Sequence, residues 1–398
     1  LFRRLNMLAS NTMNQIKEVL HTGIKNSDVA GANMLVIKDG QESFYHQDGL
    51  ADIASNRPIK RDTLFRLYSM TKPITAAAVM ILLEGGQIDL FDPVCQYIPG
   101  FIGQKVDAYG HLIPVIRDVT IKDLLSMTSG LVYPNDENLA GQATLELFQE
   151  IDQKLLGEKP LNTLEIANRL GQCPLSFQPG ASWQYGTSAD VLGAIIEVVS
   201  GQSFGKFLEE NIFEPLGMHD TGFWVPQEKR NRLATAYDMT NKNDRFPYEG
   251  NHLGIINAMD RQPAFESGGA GLVSTIDDYA RFAQMLMNRG SLDNVQILKP
   301  KTVDYLTSST LQAEQQENFD LWHTLSGHSY GNLMRVMTDH RQAGLLGSNG
   351  EYGWDGWLGA YFCNCPEDHL TILIMMQKKD AGTTSLTRKL RNIVHADL

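Results

Sequence analysis

A serine followed three residues later by a lysine occurs twice in the chain, as Ser69-Met70-Thr71-Lys72 and as Ser203-Phe204-Gly205-Lys206. A serine hydroxyl is a poor nucleophile until a nearby base takes its proton. A lysine amine serves as that base only if its pKa falls from about 10.4 towards neutrality. Two of the four positions in this motif can be any residue, so the motif often occurs by chance. The surrounding sequence has to show whether either copy is a nucleophile with its base.

The sequence around the two copies predicts different environments. Ser203 precedes an amphipathic run, so its hydroxyl is expected to cap that helix, with Lys206 on the solvent side. Ser69 instead opens an almost wholly apolar helical run that extends to Glu84, and Lys72, one turn along, enters the interior with it. The alternative for this copy is a Ser69 that only caps the helix and a Lys72 that reaches solvent or pairs with a carboxylate.

Burial of this segment would supply most of an acyl-transfer site. Burial lowers a lysine pKa, and so does the positive end of a helix dipole, which is where Lys72 lies. The same helix end offers the backbone N–H of Ser69 to an oxyanion. The segment therefore predicts a nucleophile, a base and half of an oxyanion hole.

The composition is that of an ordinary soluble globular chain of 398 residues, 42% of them hydrophobic. Its 34 basic and 46 acidic residues give a net charge of −12, which argues against nucleic acid as a partner. No run approaches the roughly 18 apolar residues that span a bilayer, so no membrane segment is expected and the default location is the cytoplasm.

Several cofactor and metal classes lose their main support. Four cysteines, at 95, 173, 363 and 365, are too few for a disulfide framework, and a lone C-x-C is a weak metal signal. The chain has no G-x-x-x-x-G-K-[ST], no H-E-x-x-H and no G-x-G-x-x-G. We therefore expect neither a cofactor nor a metal.

Strand patterns lie at both ends of the chain and helical patterns between them. Helices are predicted over Asn11–Lys25, Asp118–Met127, Thr163–Leu170, Ala189–Ser200, Ser203–Phe213 and Thr384–Val394. Strands are predicted over Ala32–Lys38 and Glu42–His46, joined by Asp39-Gly40, and over Tyr330–Met337, Tyr352–Phe362 and Leu370–Lys378.

These elements predict an α/β (α+β) fold in which one antiparallel sheet, built from both termini, is flanked by helices and carries an all-helical insertion. We expect a discontinuous α/β domain over residues 1–65 and 260–398 and a mainly helical domain over residues 66–259.

Six short motifs in order resemble the serine β-lactamase-like superfamily. They are Ser69–Lys72, Leu124–Leu131, Phe177–Gly180 with Trp183–Tyr185, Pro215–Thr221, Gly268–Thr275 and Trp354-Asp355-Gly356. This superfamily includes class C β-lactamases, D-alanyl-D-alanine carboxypeptidases, family VIII carboxylesterases and a fungal acyltransferase of statin biosynthesis. The fold it implies matches the discontinuous arrangement above.

The resemblance implies Ser69 as nucleophile, Lys72 as general base and Tyr185 as the second proton-transfer group. Tyr185 follows Pro179-Gly180 at a junction between elements, and Lys72 beside it would lower the pKa of its phenol from about 10. The second oxyanion donor would be the backbone N–H of Trp357. The alternative for Tyr185 is a packed aromatic side chain.

Departures from the family pattern bear on the substrate. Trp354 and Asp355, ahead of Gly356, replace the Lys or His and the Thr that hold a substrate carboxylate in β-lactamases and carboxypeptidases. Thr187 stands where β-lactamases place an asparagine that binds the β-lactam side chain. Asp355 would repel a carboxylate if it faces the cleft, or it turns to solvent.

The chain is therefore interpreted as a serine hydrolase that forms an acyl-enzyme, on small-molecule esters rather than amides. Trp224, Trp354, Trp357, Tyr133 and Tyr352 are candidates for the walls of an apolar acyl pocket. One alternative is a β-lactamase, D-amino-acid peptidase or acyltransferase of the same superfamily, and another is a non-catalytic binding or assembly protein with this fold.

Overall fold

The computed structural model describes residues 7–26, 28–239 and 245–398. In that part of the chain the helices are α1 Ser10–Lys25, α2 Thr71–Glu84, α3 Ile121–Leu125, α4 Leu139–Lys154, α5 Thr163–Gln172, α6 Ser188–Ser200, α7 Phe204–Leu208, α8 Glu214–Leu216, α9 Ile276–Met287, α10 Pro300–Leu306, α11 Ala313–Phe319, α12 His340–Ala343 and α13 Ser385–His395. The strands are β1 Gly31–Lys38, β2 Gln41–Asp52, β3 Arg57–Pro58, β4 Phe65–Arg66, β5 Lys105–Ala108, β6 His111–Pro114, β7 Tyr237–Asp238, β8 Phe246–Pro247, β9 Val273–Ser274, β10 Ser291–Leu292, β11 Val295–Gln296, β12 His328–Gly331, β13 Met334–Met337, β14 Tyr352–Asp355, β15 Tyr361–Cys365 and β16 Leu370–Met376.

Both ends of the chain build one eight-stranded antiparallel sheet, as the sequence predicted. Its strand order is β12-β13-β14-β15-β16-β1-β2-β3. β1 pairs with β16, so that Val36 lies opposite Ile372, and also with β2 through the predicted hairpin. The first and last thirds of the chain therefore share the centre of the sheet.

Helices cover both faces of the central strands. On one face Met34 and Ile374 pack with Ile16 of α1 and Leu390 of α13. On the other face the alternate side chains join the main core of the protein, which includes α2 and α9. Every residue of β16 is buried, because a strand covered on both faces has no side open to water.

Two strand predictions near the end of the chain are wrong. Residues 330–337 form a hairpin of β12 and β13, because Asn332 and Leu333 adopt positive φ values of 48° and 65° that suit a tight turn. Residues 352–362 are also two strands, since the chain reverses between β14 and β15 at a segment in which Gly359 has φ 91°. This reversal leaves Gly356 and Trp357 just beyond the end of β14.

The apolar helix predicted from Ser69 is present, but it begins two residues later. Ser69 lies in a 3₁₀ turn, Tyr68–Met70, that leads into α2. Eleven of the fourteen residues of α2 are buried, Lys72 among them. A helix this deeply enclosed fixes the position of whatever its first turn carries.

The middle of the chain is mostly helical, with the short strand pairs β5–β6 and β7–β8 among its helices. The domain bounds at residues 65 and 260 stay a prediction. No single helix in the described ranges is long and apolar enough to cross a membrane, although the bent pair Ser188–Ser200 and Phe204–Leu216 passes that test of length and composition.

A buried ion pair fastens the last helix to β14, the strand that leads into the turn at Gly356 and Trp357. Arg391 of α13 donates to Glu351, the residue before β14, at 2.6 Å, and His395 lies 3.3 Å from the same carboxylate. Glu351 and Arg391 are 3% and 0% exposed. Burial alone would raise the pKa of Glu351, but the cations beside it hold that pKa at about 2.

We predict that Glu351→Gln lowers the free energy of unfolding by about 3 kcal/mol, because it leaves the Arg391 charge buried without a counter-charge. In the wild type, the pKa of Glu351 is lower in the folded state than in the unfolded state, where it is about 4.3. The stability that the Glu351 carboxylate contributes is therefore present above about pH 4.3 and is lost as the pH falls towards 2. Urea denaturation followed by tryptophan fluorescence measures both effects.

The control is Asp304→Asn, which removes an exposed pair with Arg289. That change is expected to stay within about 0.5 kcal/mol. Equal losses in the two variants would contradict a special role for the buried pair.

Candidate active site

The amine of Lys72 lies at the centre of a hydrogen-bonded cluster. Its Nζ donates to Ser69 Oγ at 3.1 Å, to Tyr133 OH at 2.9 Å and to the carbonyl oxygen of Gly269 at 2.8 Å. It also lies 4.7 Å from the centre of the Tyr185 ring. Lys72 is fully buried, so the alternative in which it reaches solvent is excluded.

The surroundings of Lys72 favour a neutral amine near physiological pH. Burial lowers its pKa to about 7, against the opposing effect of the carboxylates of Asp190 and Asp355. The structure thus supplies the condition that a lysine must meet to act as a base.

A strained turn holds Ser69 at the start of α2. Tyr68, the residue before it, has φ 46°, a left-handed conformation that is costly for a side chain of this size. The strand ahead of the turn is firmly anchored, because β4 pairs with β9 and Leu67 N–H donates to Leu272 at 2.8 Å. This anchoring keeps the turn in place and leaves Ser69 partly exposed to the cleft.

The two predicted oxyanion donors belong to residues that line the same cleft. Within the described residues, neither the backbone N–H of Ser69 nor that of Trp357 donates to another protein group. Gly356 permits this approach, since a Cβ there would lie 2.2 Å from the carbonyl oxygen of Leu67. The Trp357 indole donates to Asp380 at 2.7 Å and stacks on His252, which fixes the end of β14.

Tyr133 and Tyr185 come together because two loops run side by side. Gln184 N–H donates to the carbonyl of Met127 at 3.0 Å, and Gly186 lies so close to Leu131 that a Cβ would be 2.2 Å from its oxygen. The two tyrosine rings then lie 5.5 Å apart, centre to centre.

Trp354 supports Tyr185 from behind. Its indole Nε1 donates to Tyr185 OH at 2.9 Å, and it is 1% exposed. Burial raises the pKa of the Tyr185 phenol, while hydrogen bonds from Ser69 and Trp354 act in the opposite direction. The expected lowering of this pKa by Lys72 is therefore wrong in the free protein, because burial dominates and Lys72 loses its charge near pH 7.

The cleft in front of Ser69 has a volume of about 660 Å³. Aromatic and apolar side chains form most of its wall, and these include Tyr68, Tyr133, Phe148, Tyr185, Trp322, Leu325 and Trp357. Its charged lining residues are Asp152, Asp355 and Asp380, with no lysine or arginine among the described residues that line it.

Several predicted wall residues do not line this cleft. Trp354 and Tyr352 are buried behind it, and the Tyr352 hydroxyl accepts from Asn364 at 3.0 Å. Trp224 lies at a separate cavity beside α7. Thr187 is fully buried just before α6. The sequence could not show which aromatic residues line the cleft and which are buried behind the lining, because large apolar side chains suit both places.

Asp355, Gly356, Trp357 and Tyr133 do line the cleft. The carboxylate of Asp355 accepts a hydrogen bond from the Thr383 hydroxyl, so this residue faces the cleft and not bulk solvent. Tyr133 was expected only as a wall residue. Its hydrogen bond to Lys72 is a finding that its position beyond the Ser129-Gly130 turn could not have indicated.

The second serine–lysine copy is structural, as predicted. Ser203 Oγ accepts from Lys206 N–H and caps α7, while the Lys206 side chain is half exposed and pairs with Glu209 and Glu210. Ser203 also stands in a Gly-x-Ser-x-Gly pentapeptide, residues 201–205, a pattern shared with some hydrolase nucleophiles. Here the serine follows a helix instead of a strand, and Ser203 lies away from the Lys72 cluster.

Comparison with known proteins assigns the family. The beta-lactamase family model matches residues 16–396, and the chain belongs to this family. A Mycobacterium tuberculosis protein is 32% identical over 91% of this chain and 88% of its own length. Esterase EstB of Burkholderia gladioli is 30% identical over 98% of this chain and 96% of its own.

A solved structure gives the same assignment. EstCE1, described as a hydrolase with promiscuous acyltransferase activity, superposes with a TM-score of 0.81 and 26% identity over 97% of this chain and 99% of its own. The protein is a serine hydrolase of the serine β-lactamase-like superfamily, close to its carboxylesterases.

We predict that Trp354→Phe lowers kcat by about tenfold or more with little change in KM, because it removes the donor to Tyr185 without changing the cleft wall. Steady-state kinetics on p-nitrophenyl esters of increasing acyl length measure this. The matched control is Trp322→Phe, which alters a lining residue and is expected to change the preference for acyl length. A changed length preference in Trp354→Phe would show that Trp354 contacts the substrate after all.

Proposed function

We propose that the protein is a carboxylesterase that transfers the acyl group of a small ester to Ser69 and then to water. The observation that carries the proposal is the hydrogen bond from a buried Lys72, with a pKa near 7, to the hydroxyl of Ser69. Packing alone gives no reason to bury an amine against a serine that lines an open cleft.

In the first half-reaction Lys72 takes the Ser69 proton as Oγ attacks the ester carbonyl carbon. The carbonyl oxygen becomes an oxyanion, which the backbone N–H groups of Ser69 and Trp357 stabilise. The intermediate then breaks its bond to the alcohol oxygen, and that oxygen takes a proton delivered through Tyr185. The alcohol leaves, and the acyl group stays on Ser69.

In the second half-reaction a water molecule attacks the acyl carbon. Tyr185 and Lys72 accept the water proton and return a proton to Ser69 Oγ as its bond to the acyl carbon breaks. The raised pKa of the Tyr185 phenol suits a group that gives up a proton only while it receives one from a partner.

The cleft favours uncharged esters over substrates that carry a carboxylate. Three carboxylates line it, those of Asp152, Asp355 and Asp380, and of these Asp380 pairs with Lys379 at 3.3 Å. The acidic side chains of the wall therefore act against a negatively charged substrate. β-Lactams and D-alanyl peptides carry a carboxylate close to the bond that is cut, so Asp355 disfavours them. Ester hydrolysis also needs less acid assistance, since an alkoxide leaves more readily than an amide nitrogen.

Acyl transfer to an alcohol is a second candidate function. The structural similarity to EstCE1, whose description includes acyltransferase activity, favours it. Both reactions form the same acyl-enzyme and differ only in whether water or an alcohol attacks. Product analysis with and without an added primary alcohol distinguishes them.

We predict that Ser69→Ala lowers kcat/KM on p-nitrophenyl butyrate by about a hundredfold or more, because the acyl-enzyme can no longer form. Ser203→Ala is the matched control, since it alters the other serine–lysine motif and the Gly-x-Ser-x-Gly serine while leaving the Lys72 cluster intact. Its turnover is expected to equal that of the wild type. Equal rates in wild type and Ser69→Ala would mean background chemistry and favour the non-catalytic binding protein.

We also predict a preference of about tenfold or more for p-nitrophenyl butyrate over p-nitrophenyl hemisuccinate, in which a carboxylate replaces the terminal methyl group of the four-carbon acyl chain. Asp355→Asn should lower this rate ratio, because it removes one of the repulsive charges that line the cleft. Initial rates at pH 8, with the spontaneous rates subtracted, give both ratios. Nitrocefin turnover comparable to ester turnover would instead favour a β-lactamase.

A further inference from the structure

Asp190 is a buried carboxylate that the proposed mechanism does not use. It lies in the first turn of α6, five residues after Tyr185, and is 4% exposed. Its Oδ1 accepts from the Ser267 hydroxyl at 2.5 Å and from Gly269 N–H at 3.0 Å. A buried carboxylate is costly, and capping a loop that a neutral asparagine could also hold does not require its charge.

A continuous chain of hydrogen bonds leads from Asp190 to Lys72. The Ser267 hydroxyl that donates to Asp190 also accepts from Ala270 N–H at 3.0 Å. That N–H belongs to the peptide group whose carbonyl oxygen, on Gly269, accepts from Lys72 Nζ at 2.8 Å. Each bond in the chain runs from donor to acceptor in one direction, towards the carboxylate.

In such a chain, each hydrogen bond polarises the next one. A carboxylate at its end polarises the Ser267 hydroxyl and then the 269–270 peptide, so the Gly269 oxygen becomes a stronger acceptor for the lysine. The effect favours the protonated form of Lys72, and the direct Coulomb attraction of Asp190 acts in the same direction.

Two glycines allow the loop to reach α6. A Cβ on Gly268 would lie 2.2 Å from the carbonyl oxygen of Ala189, and one on Gly269 would lie 3.1 Å from Asp190 Oδ2. The loop therefore packs closely against the first turn of α6, where Asp190 lies, and the same loop presents the carbonyl that binds Lys72.

We propose that Asp190 is a positioning residue for Lys72, acting through Ser267 and the 269–270 peptide to hold the amine and keep it basic enough to take the Ser69 proton. The inference rests on the proposed function for its catalytic meaning. The groups that face Lys72 are the hydroxyls of Ser69 and Tyr133, the Tyr185 ring and, by charge, Asp190 and Asp355. Burial lowers the pKa of Lys72, whereas Asp190 and Asp355 raise it. Without Asp190, only Asp355 would counteract the effect of burial.

Asp190→Asn tests this with minimal change of shape, because the amide oxygen still accepts from Ser267 and Gly269. In the wild type the kcat/KM profile should fall on the acid side of about pH 7, since a protonated Lys72 cannot act as a base. In the variant this limb should move to lower pH by about one unit, and the plateau should drop by about three- to tenfold because the amine is less basic. Lower activity with an unmoved limb would reduce Asp190 to a structural role and overturn the proposal.

Titration of Lys72 without substrate separates this inference from the esterase proposal. In protein labelled with ¹³C at lysine Cε, the Lys72 signal is assigned by its loss in Lys72→Arg and followed against pH. A midpoint at least about half a unit lower in Asp190→Asn supports the proposal even if no ester is turned over. Coincident titrations overturn it even if the esterase activity is established.

Two further variants guard against a folding artefact. Ser267→Ala removes the hydroxyl link but keeps the Asp190 carboxylate. It should move the midpoint of the Lys72 titration in the same direction as Asp190→Asn does, by a smaller amount. If Asp190→Asn does not fold, an unmoved midpoint in Ser267→Ala overturns the proposal. Asp278→Asn is the matched control, because Asp278 is another buried carboxylate that caps a backbone N–H, that of Asp220. It should leave the Lys72 midpoint unchanged, and an equal shift there would mean that the effect is not specific to Asp190.

Discussion

An amine that is cut off from water has to lose its charge or find a hydrogen-bond acceptor for each of its protons, and Lys72 is placed where it can do both. A protonated lysine has three N–H donors, and Ser69, Tyr133 and the Gly269 carbonyl supply three acceptors. The cost of burying an ammonium, several kcal/mol, is reduced but not removed, so the pKa settles near 7. The other elements of the site are arranged around this amine.

The fold meets that requirement by bringing distant segments to the first turn of α2. The turn at Tyr68 is anchored through β4 and β9, the carbonyl for Lys72 comes from the loop before β9, and the tyrosines come from two loops of the helical region. The C-terminal strands add the Trp357 N–H beside Ser69, because Gly356 lets their turn approach Leu67. A sheet built from both termini makes this convergence possible, since it places the end of β14 next to the start of a helix from the first quarter of the chain.

Trp354 and Asp355 stand where the family resemblance implies a Lys or His and a Thr. Trp354 is buried and donates to Tyr185, and Asp355 lines the cleft. Under the proposed function, neither residue offers a cation to a substrate carboxylate, and Trp354 supports Tyr185, the proposed proton-transfer group. Neighbouring residues of β14 thus serve both proposed properties: Asp355 bears on the selectivity for neutral esters, and Trp354 orients Tyr185.

The sequence alone determined the family, the antiparallel sheet from both termini, the buried helix with its serine and lysine, and the capping role of Ser203. These properties follow from local patterns: apolar periodicity, turn residues and motifs in order along the chain. Only the tertiary structure decided which aromatics line the cleft, that Tyr133 binds Lys72, and that Asp190 reaches Lys72 through Ser267 and a peptide group. Those contacts join residues far apart in the chain, and a buried wall and the layer behind it have the same composition, so no local pattern could distinguish them. The two strands misread near the end of the chain have a related cause, because their turns depend on positive φ values at residues such as Leu333, which a sequence pattern does not reveal.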